Sequence, residues 1–447
     1  MKKLLVILSV LLMIFIVALE SFEGAVAVMV VTVMSVAVVF LIKQKTEQSE
    51  FLIQVFLAAL IVRIIFGMFI HIFELRPFFG GDALTYDSLG NRLVDIWFNN
   101  FSPNDPWSQK ALSTSLPGWG MHYLTGIIYS ITGRNILAAQ FFCAVFGAAT
   151  VPLVYLCAKK IFHNQKVGTI SALLIAFFPA FIIWSSQLLK DGLIVFLLVL
   201  AMTLVLQLQE KLNYASVGLL IFSLFGILSL RFYIFYMVAL AVAGSFVVGL
   251  KNTTKSVVTR LVVLIMIGIS LTYLGVMRYA SSDVEEYASL ERIQRSRAGL
   301  ANAESGFGDD VDVSTTEGAI TAIPVGLLYL MLAPFPWQMT NFRQMITAPE
   351  TILWWILLPF MFTGIWYTIR YRFRKAIAVL IFTVMLTLAY SIFQGNVGTA
   401  YRQRTQIQVF LFMFIAVGLT LRNERRENQR IMDKERKKRL EMNLRKR

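Results

Sequence analysis

The chain has 447 residues, of which 57% are hydrophobic and 15% charged, with a formal net charge of +15. A soluble domain runs at about 45–50% apolar and about 25% charged. The apolar excess falls in blocks of about 16–23 residues, the length that crosses roughly 30 Å of hydrocarbon, so a string of soluble domains is excluded. From Arg422 to Arg447 there are twelve Lys/Arg and five Asp/Glu, a surplus of seven. Beside so much apolar sequence, this surplus reads as a basic cytoplasmic tail facing anionic lipid, with no nucleic acid as partner. Cys143 and Cys157 lie in one apolar segment. Fourteen residues of helix separate them by about 21 Å, too far for a disulfide. Phosphate-loop, dinucleotide, metalloprotease and nucleophile-elbow signatures are absent from the sequence.

In chain order, Met1-Lys2-Lys3 and an apolar run to Leu19 resemble a signal peptide, although a second apolar run begins at Ala25. Whether or not the first run is cleaved, the orientation downstream is the same. Spans are predicted near 4–19, 25–42, 51–73, 136–158, 167–184, 189–208, 215–230, 232–250, 257–277, 351–369, 376–393 and 405–421. The expected fold is therefore all-α: a polytopic transmembrane bundle of about twelve spans (range about 11–14), occupying residues 1–421 ahead of the 422–447 tail. Short basic loops belong on the cytoplasmic side. Lys43, Lys45, Lys159, Lys160, Lys166, Lys251, Lys255, Arg370, Arg372, Arg374 and Lys375 all satisfy this. Both termini are then cytoplasmic in an inner (plasma) membrane. The span boundaries within 215–250 are the least defined, since no turn residue marks the centre of that stretch.

Two further apolar stretches, Leu116–Ile131 and Pro324–Met339, must not cross, or the basic loops would change sides. Both contain Pro or Gly breakers, so they are expected to lie on or dip into the outer leaflet. Three outer loops result, at about 74–135, 278–350 and 394–404. Within the second, the polar, Gly-rich Ala298–Thr316 is expected to be mobile.

The first outer loop opens Gly80-Gly81-Asp82. From Ala83 the positions Tyr86, Leu89, Leu93 and Trp97 share one helical face, as in a helix lying on a membrane surface. Asp82 has two readings: a helix cap accepting backbone N–H groups, or a carboxylate at the membrane boundary able to take a proton or hold a divalent cation. Asp87 is a weaker candidate on another face. Arg402 and Arg404 follow the polar Gly395-Asn396-Val397-Gly398-Thr399-Ala400-Tyr401. Arginine forks suit phosphate, and Tyr401 adds a hydroxyl; snorkelling to headgroups is the plainer alternative. Lys190 and Arg231 stand at two more outer turns. Lys190 can simply pair with Asp191, but one shared anion would account for all these basic positions. His122 and Trp337-Gln338 are lesser candidates, for a structural histidine and for an aromatic lining.

Over about residues 50–210 the order of features resembles the GT-C superfamily of polyprenyl-phosphate-dependent glycosyltransferases, in particular the protein O-mannosyltransferase and aminoarabinose-transferase branch. The shared features are Gly81-Asp82 opening the first large outer loop, a surface helix at 83–98, Leu116-Pro117-Gly118-Trp119, and a span over 136–158 ending in Lys159-Lys160. Leu188-Leu189-Lys190-Asp191, Leu230-Arg231-Phe232-Tyr233 and Asn396–Arg404 are similar to members found with surface-polysaccharide genes. The chain departs from the pattern in having two spans before the one leading to the first loop, and in lacking an Asp-x-Asp pair there, which argues against a tightly held metal. The resemblance implies a sugar donor on polyprenyl phosphate and an acceptor that is a glycan, lipid or protein. It implies Asp82 as base and Arg402 and Arg404, with Lys190 or Arg231, as phosphate ligands. Cofactors are left unassigned.

Two other functions fit parts of the sequence. An O-antigen-type polymerase or ligase would use the late outer loop and the arginines without Asp82. A lipid-linked sugar flippase would need polar residues along a path through the spans, where Arg63 is an exception among largely apolar interiors. The transferase reading requires positions 82 and 402 to share the outer side. Cysteines introduced at Ser88 and Gly398 are expected to react alike with a membrane-impermeant maleimide added outside intact cells; labelling from opposite sides would contradict the threading.

Overall fold

A computed structural model describes residues 2–99, 101–114, 118–248, 254–273, 289–302, 305–308, 311–339 and 342–445. Lys251, Leu116-Pro117, residues 274–277 of the predicted 257–277 span and the 278–288 part of the second long loop lie outside the described residues. Among these residues there are seventeen α-helices and no strand, with a single β-bridge between Gly306 and Asn396. They are α1 (Lys2–Lys45), α2 (Ser49–Ile72), α3 (Asp82–Phe98), α4 (Pro106–Leu112), α5 (Trp119–Thr132), α6 (Ile136–Phe162), α7 (Gln165–Phe177), α8 (Pro179–Ser185), α9 (Lys190–Glu210), α10 (Tyr214–Leu230), α11 (Phe232–Val248), α12 (Thr254–Tyr273), α13 (Leu290–Ala301), α14 (Thr316–Leu332), α15 (Phe342–Tyr371), α16 (Phe373–Phe393) and α17 (Val397–Arg445). The all-α polytopic fold read from the sequence is the fold observed.

By length and composition, seven helices can cross a membrane (α1, α2, α6, α9, α15, α16 and α17), and the bent pair α7–α8 makes an eighth. α1 is itself two arms. Its helix breaks at Ser21 (φ 49°, ψ −120°), and Thr32 Oγ1 lies 3.9 Å from Met13 Sδ, nineteen residues away in sequence. A straight helix would hold them about 28 Å apart. α10, α11, α12 and α14 are or contain shorter apolar helices; each predicted span overlaps described helix, the first two sharing α1 and the 167–184 span being divided between α7 and α8. α5, at about 21 Å, is too short to cross and packs on α3, where a Cβ on Gly126 would meet Trp97 and Leu93 at 3.1–3.2 Å.

The bundle has two chemically different ends. At one, Lys160 and Lys375 approach Glu210 at 3.7 and 3.8 Å and Lys375 touches His163. The end of α6, the end of α9 and the start of α16 therefore meet there, bringing the 159–166 and 370–375 basic loops together. The start of α9, about 30 Å away along its axis, lies at the other end with α3. We call this the Asp82 end.

Of the two segments expected not to cross, the second forms α14 and the turn after it. α14 enters from the Asp82 end, and the carbonyls of its last turn reach Arg404 of α17. Arg404 Nη1 donates to Met331 O at 3.3 Å and Ala333 O at 2.8 Å. Arg404 stands seven residues, about 10 Å, inside the start of α17. The chain then returns through Pro336–Gln338 to α15, whose Arg343 Nη2 donates to Pro77 O at 3.4 Å. One expectation needs correction. The 394–404 loop is mostly helix, because Asn396 Oδ1 accepts from Thr399 N at 3.1 Å and so starts α17. The described parts of Ala298–Thr316 are tied down: Phe307 N donates to Gly395 O at 2.8 Å and Val397 N to Ser305 O at 2.9 Å.

The break between α7 and α8 explains Arg63. Pro179 has no N–H for the Ile175 carbonyl, and the two helices bend by 55°. Arg63, fully buried on α2, supplies the missing donors. Its Nη2 reaches Ile175 O at 3.1 Å, its Nη1 reaches Ala176 O at 3.1 Å and Ala59 O at 3.0 Å, and its Nε reaches Ser185 Oγ at 2.8 Å. Arg63→Met is expected to lower the thermal unfolding midpoint in detergent markedly, since each orphaned buried carbonyl costs about 1–3 kcal/mol. Arg63→Lys should recover only part of this, lacking the fork. A methionine variant as stable as the parent would refute the role.

Candidate functional site

Five groups that carry charge come together at the Asp82 end. Gly81, in the left-handed region at φ 72°, caps α3, so Asp82 is its first helical residue rather than its cap. That removes the capping role as the account of this carboxylate. Asp82 Oδ2 instead accepts from Arg402 Nη1 at 2.8 Å. Arg402 Nε donates to Asp191 Oδ2 at 2.7 Å, and its Nη2 lies 2.6 Å from the same oxygen. The other oxygen of Asp191 accepts from Arg231 Nη2 at 2.9 Å. Arg231 Nη1 donates onward to Tyr233 OH at 3.0 Å and Tyr390 OH at 3.4 Å, and Tyr390 OH donates to Gln406 Oε1 at 2.6 Å. Trp184 lies against the face of the Arg402 guanidinium, 5.3 Å from ring centroid to Cζ.

Burial differs across the cluster, and this sets what each group can do. The Asp191 side chain is 1% exposed and that of Arg231 7%, while Asp82 is 43% exposed. Asp191 and Arg231 are therefore enclosed, whereas Asp82 faces the open side with one oxygen not used by Arg402. Lys190 starts α9. Its ammonium lies where a Cβ on Gly118 would approach to 2.7 Å, and Gly118 itself holds φ 86°. Glycine is thus required at 118 both for backbone conformation and for room. Lys190 makes no hydrogen bond or ion pair among the described residues. Three cations, Lys190, Arg231 and Arg402, face two carboxylates, so the cluster carries one positive charge in excess.

Of the residues singled out in the sequence, Asp82, Lys190, Arg231 and Arg402 converge. Arg404, Tyr401 and Asp87 do not join them. Positions 402 and 404 lie about 200° apart around a helix, so Arg404 turns to the opposite face of α17, onto the α14 carbonyls. Tyr401 falls on the Arg404 side and donates to buried Glu350 Oε2 at 2.5 Å. Asp87 is buried against α5, accepting from Tyr129 OH at 2.7 Å and Arg134 Nη2 at 2.6 Å. Trp337 is exposed and stacks on Phe335 at 5.2 Å, away from these contacts. Asp191, read from the sequence as a local partner of Lys190, is instead the hub; the signal for it was its place at the same outer turn as a lysine. Among the described residues no group of three His, Cys, Asp or Glu side chains gathers as a metal site would. Both Asp191 oxygens are occupied by guanidinium groups, a donor set that does not suit a tightly held divalent cation.

Comparison with known proteins gives three findings. Residues 118–275, about a third of the chain, match the family described as dolichyl-phosphate-mannose-protein mannosyltransferase. Among solved structures, the archaeal oligosaccharyltransferase AglB from Archaeoglobus fulgidus, in complex with an inhibitory peptide and a dolichol-phosphate, is 14% identical with a TM-score of 0.45, over 79% of this chain and 48% of that one. The apo form of the Archaeoglobus fulgidus oligosaccharyltransferase is 14% identical with a TM-score of 0.44, over 87% and 52%. The chain thus spans about half the length of these proteins. No curated protein sequence matches. The chain is a polytopic helical membrane protein whose residues 118–275 match the dolichyl-phosphate-mannose-protein mannosyltransferase family.

Proposed function

We propose that this protein transfers a sugar from a polyprenyl-phosphate carrier to a hydroxyl-bearing acceptor at the outer face of the membrane. The observation that carries the proposal is the direct contact of Asp82 with Arg402 inside a cluster holding one surplus cation. The family match supports a lipid-phosphate donor. The basic loops gathered at the far end support placing the Asp82 end outside.

The reaction breaks the bond between the sugar C1 and the phosphate oxygen and forms one between C1 and the acceptor oxygen. The acceptor's proton passes to the free oxygen of Asp82, and the electron pair of the broken bond stays on the phosphate. Lys190, which makes no ion pair among the described residues, meets the phosphate as its charge grows, and Arg402 faces it from the other side. Arg231 holds Asp191 in place and is too enclosed to touch substrate. Arg404 has no part in this pocket. Displacement in one step inverts the anomeric centre. A polymerase or ligase working through arginines alone would have no use for Asp82 at the focus, which places that reading second.

With purified protein and polyprenyl-phosphate sugar donors, release of polyprenyl phosphate tests the assignment. Asp82→Asn is expected to slow turnover by about 10²–10⁴-fold, the contribution of a positioned base, with little change in donor KM. Lys190→Met is expected to act mainly on donor KM, raising it about tenfold or more, as loss of a charge-assisted phosphate contact would. Full turnover by Asp82→Asn would sink the base and favour the polymerase reading. Movement of donor across sealed vesicles without new glycosidic bonds would favour a flippase.

A further inference from the structure

His122 is a buried polar group that the chemistry above does not use. It stands in the first turns of α5, four residues after Gly118, and is 5% exposed, with Nδ1 buried and without a hydrogen-bond partner among the described residues. Buried ring nitrogens without partners are uncommon in native proteins and call for a missing partner. The surroundings point to where that partner would sit. The His122 ring packs at 5.7 Å, tilted 44°, on Tyr86. Tyr86 follows Asp82 by one turn of α3 and lies within electrostatic reach of Asp82, Arg402, Asp191 and Arg231. The Lys190 ammonium lies beside Gly118, four residues before His122, and its charge acts on the imidazole. His122 is thus next to the cluster but outside its network of ion pairs.

Its charge state narrows the partner. Burial, reinforced by Lys190 and Lys110, pushes the imidazole down to about 4, so it is neutral at physiological pH. A neutral imidazole offers a phosphate no charge, whereas the ammonium of Lys190 offers one. The group that suits His122 is uncharged and carries hydroxyls.

We propose that His122 hydrogen-bonds a hydroxyl of the donor's sugar ring, with Tyr86 packing alongside, so that α5 reads the sugar while Lys190 and Arg402 hold the phosphate. The inference rests on the lipid-phosphate reading above and assigns its sugar subsite. A sugar hydroxyl that fills an otherwise orphaned buried acceptor is favoured strongly over a ligand that lacks it.

The test measures binding to the full-length protein in detergent of farnesyl phosphate and of its mannose, glucose, galactose and N-acetylglucosamine esters. The wild type is expected to bind at least one ester tighter than farnesyl phosphate. His122→Ala should weaken that ester about tenfold or more and leave farnesyl phosphate unchanged. His122→Asn, which keeps a hydrogen-bonding group, should recover part of the loss. Equal weakening of both probes by His122→Ala and by His122→Asn, with a lowered unfolding midpoint, would make His122 a packing residue and overturn the proposal. No weakening of any ester, or a wild type that binds no ester tighter than farnesyl phosphate, would overturn it as well. A wild type that fails to bind farnesyl phosphate at all would remove the lipid-phosphate reading itself, and the sugar subsite with it.

Discussion

One carboxylate, that of Asp191, sits between two guanidinium groups in a place closed to water. Withdrawing any of these charges from water is costly, and the cost is offset only while all three stay in contact. The carboxylate comes from the first turn of α9, one guanidinium from the α10–α11 junction and the other from the start of α17. These three elements are therefore held in one relative position at the Asp82 end. Arg402 reaches past Asp191 to Asp82 and so fixes the start of α3 as well. A candidate base at the membrane boundary is thereby held by contacts reaching residues more than 300 positions away in sequence.

The same economy appears one layer deeper. Pro179 breaks the α7–α8 path and frees backbone carbonyls inside the bundle, where water cannot meet them. Arg63 meets them and also holds Ser185. Trp184, the residue before it, lies on Arg402. A cation in the middle of α2, which in another setting would suggest a transport path, is here committed to backbone repair. The broken helix it stabilises delivers an aromatic wall to the cluster. At the far end of the bundle the lysines and Glu210 tie helix ends without approaching this region.

Much of this arrangement was legible in the sequence because it follows from hydrocarbon thickness and loop charge. The spans, the short elements around α5 and α14, and the meeting of positions 82, 190, 231 and 402 at one end all come from those two constraints. What escaped depends on angles and on partners distant in sequence. Adjacent arginines at 402 and 404 read as a pair, yet the helix sends them to opposite faces, one to charge and the other to backbone carbonyls. The stretch 394–404 reads as a loop by polarity, but its side chains are buried among other helices, where polar sequence remains helical. Asp87 counts as surface by the apolar period of its helix and is instead paired by Arg134, a partner that no local pattern reveals. Asp191 looked like the neighbour of Lys190, when its true partners lie on two other elements.

The central claim is that the surplus positive charge beside Asp82 receives a lipid phosphate. It is tested most directly by solving the structure with farnesyl phosphate bound. The account requires the phosphorus to lie within reach of Lys190 Nζ and Arg402, on the open side of Asp82. Phosphate density against Arg404 or at the Lys160–Lys375 end, with the Asp82 cluster unchanged, would contradict it.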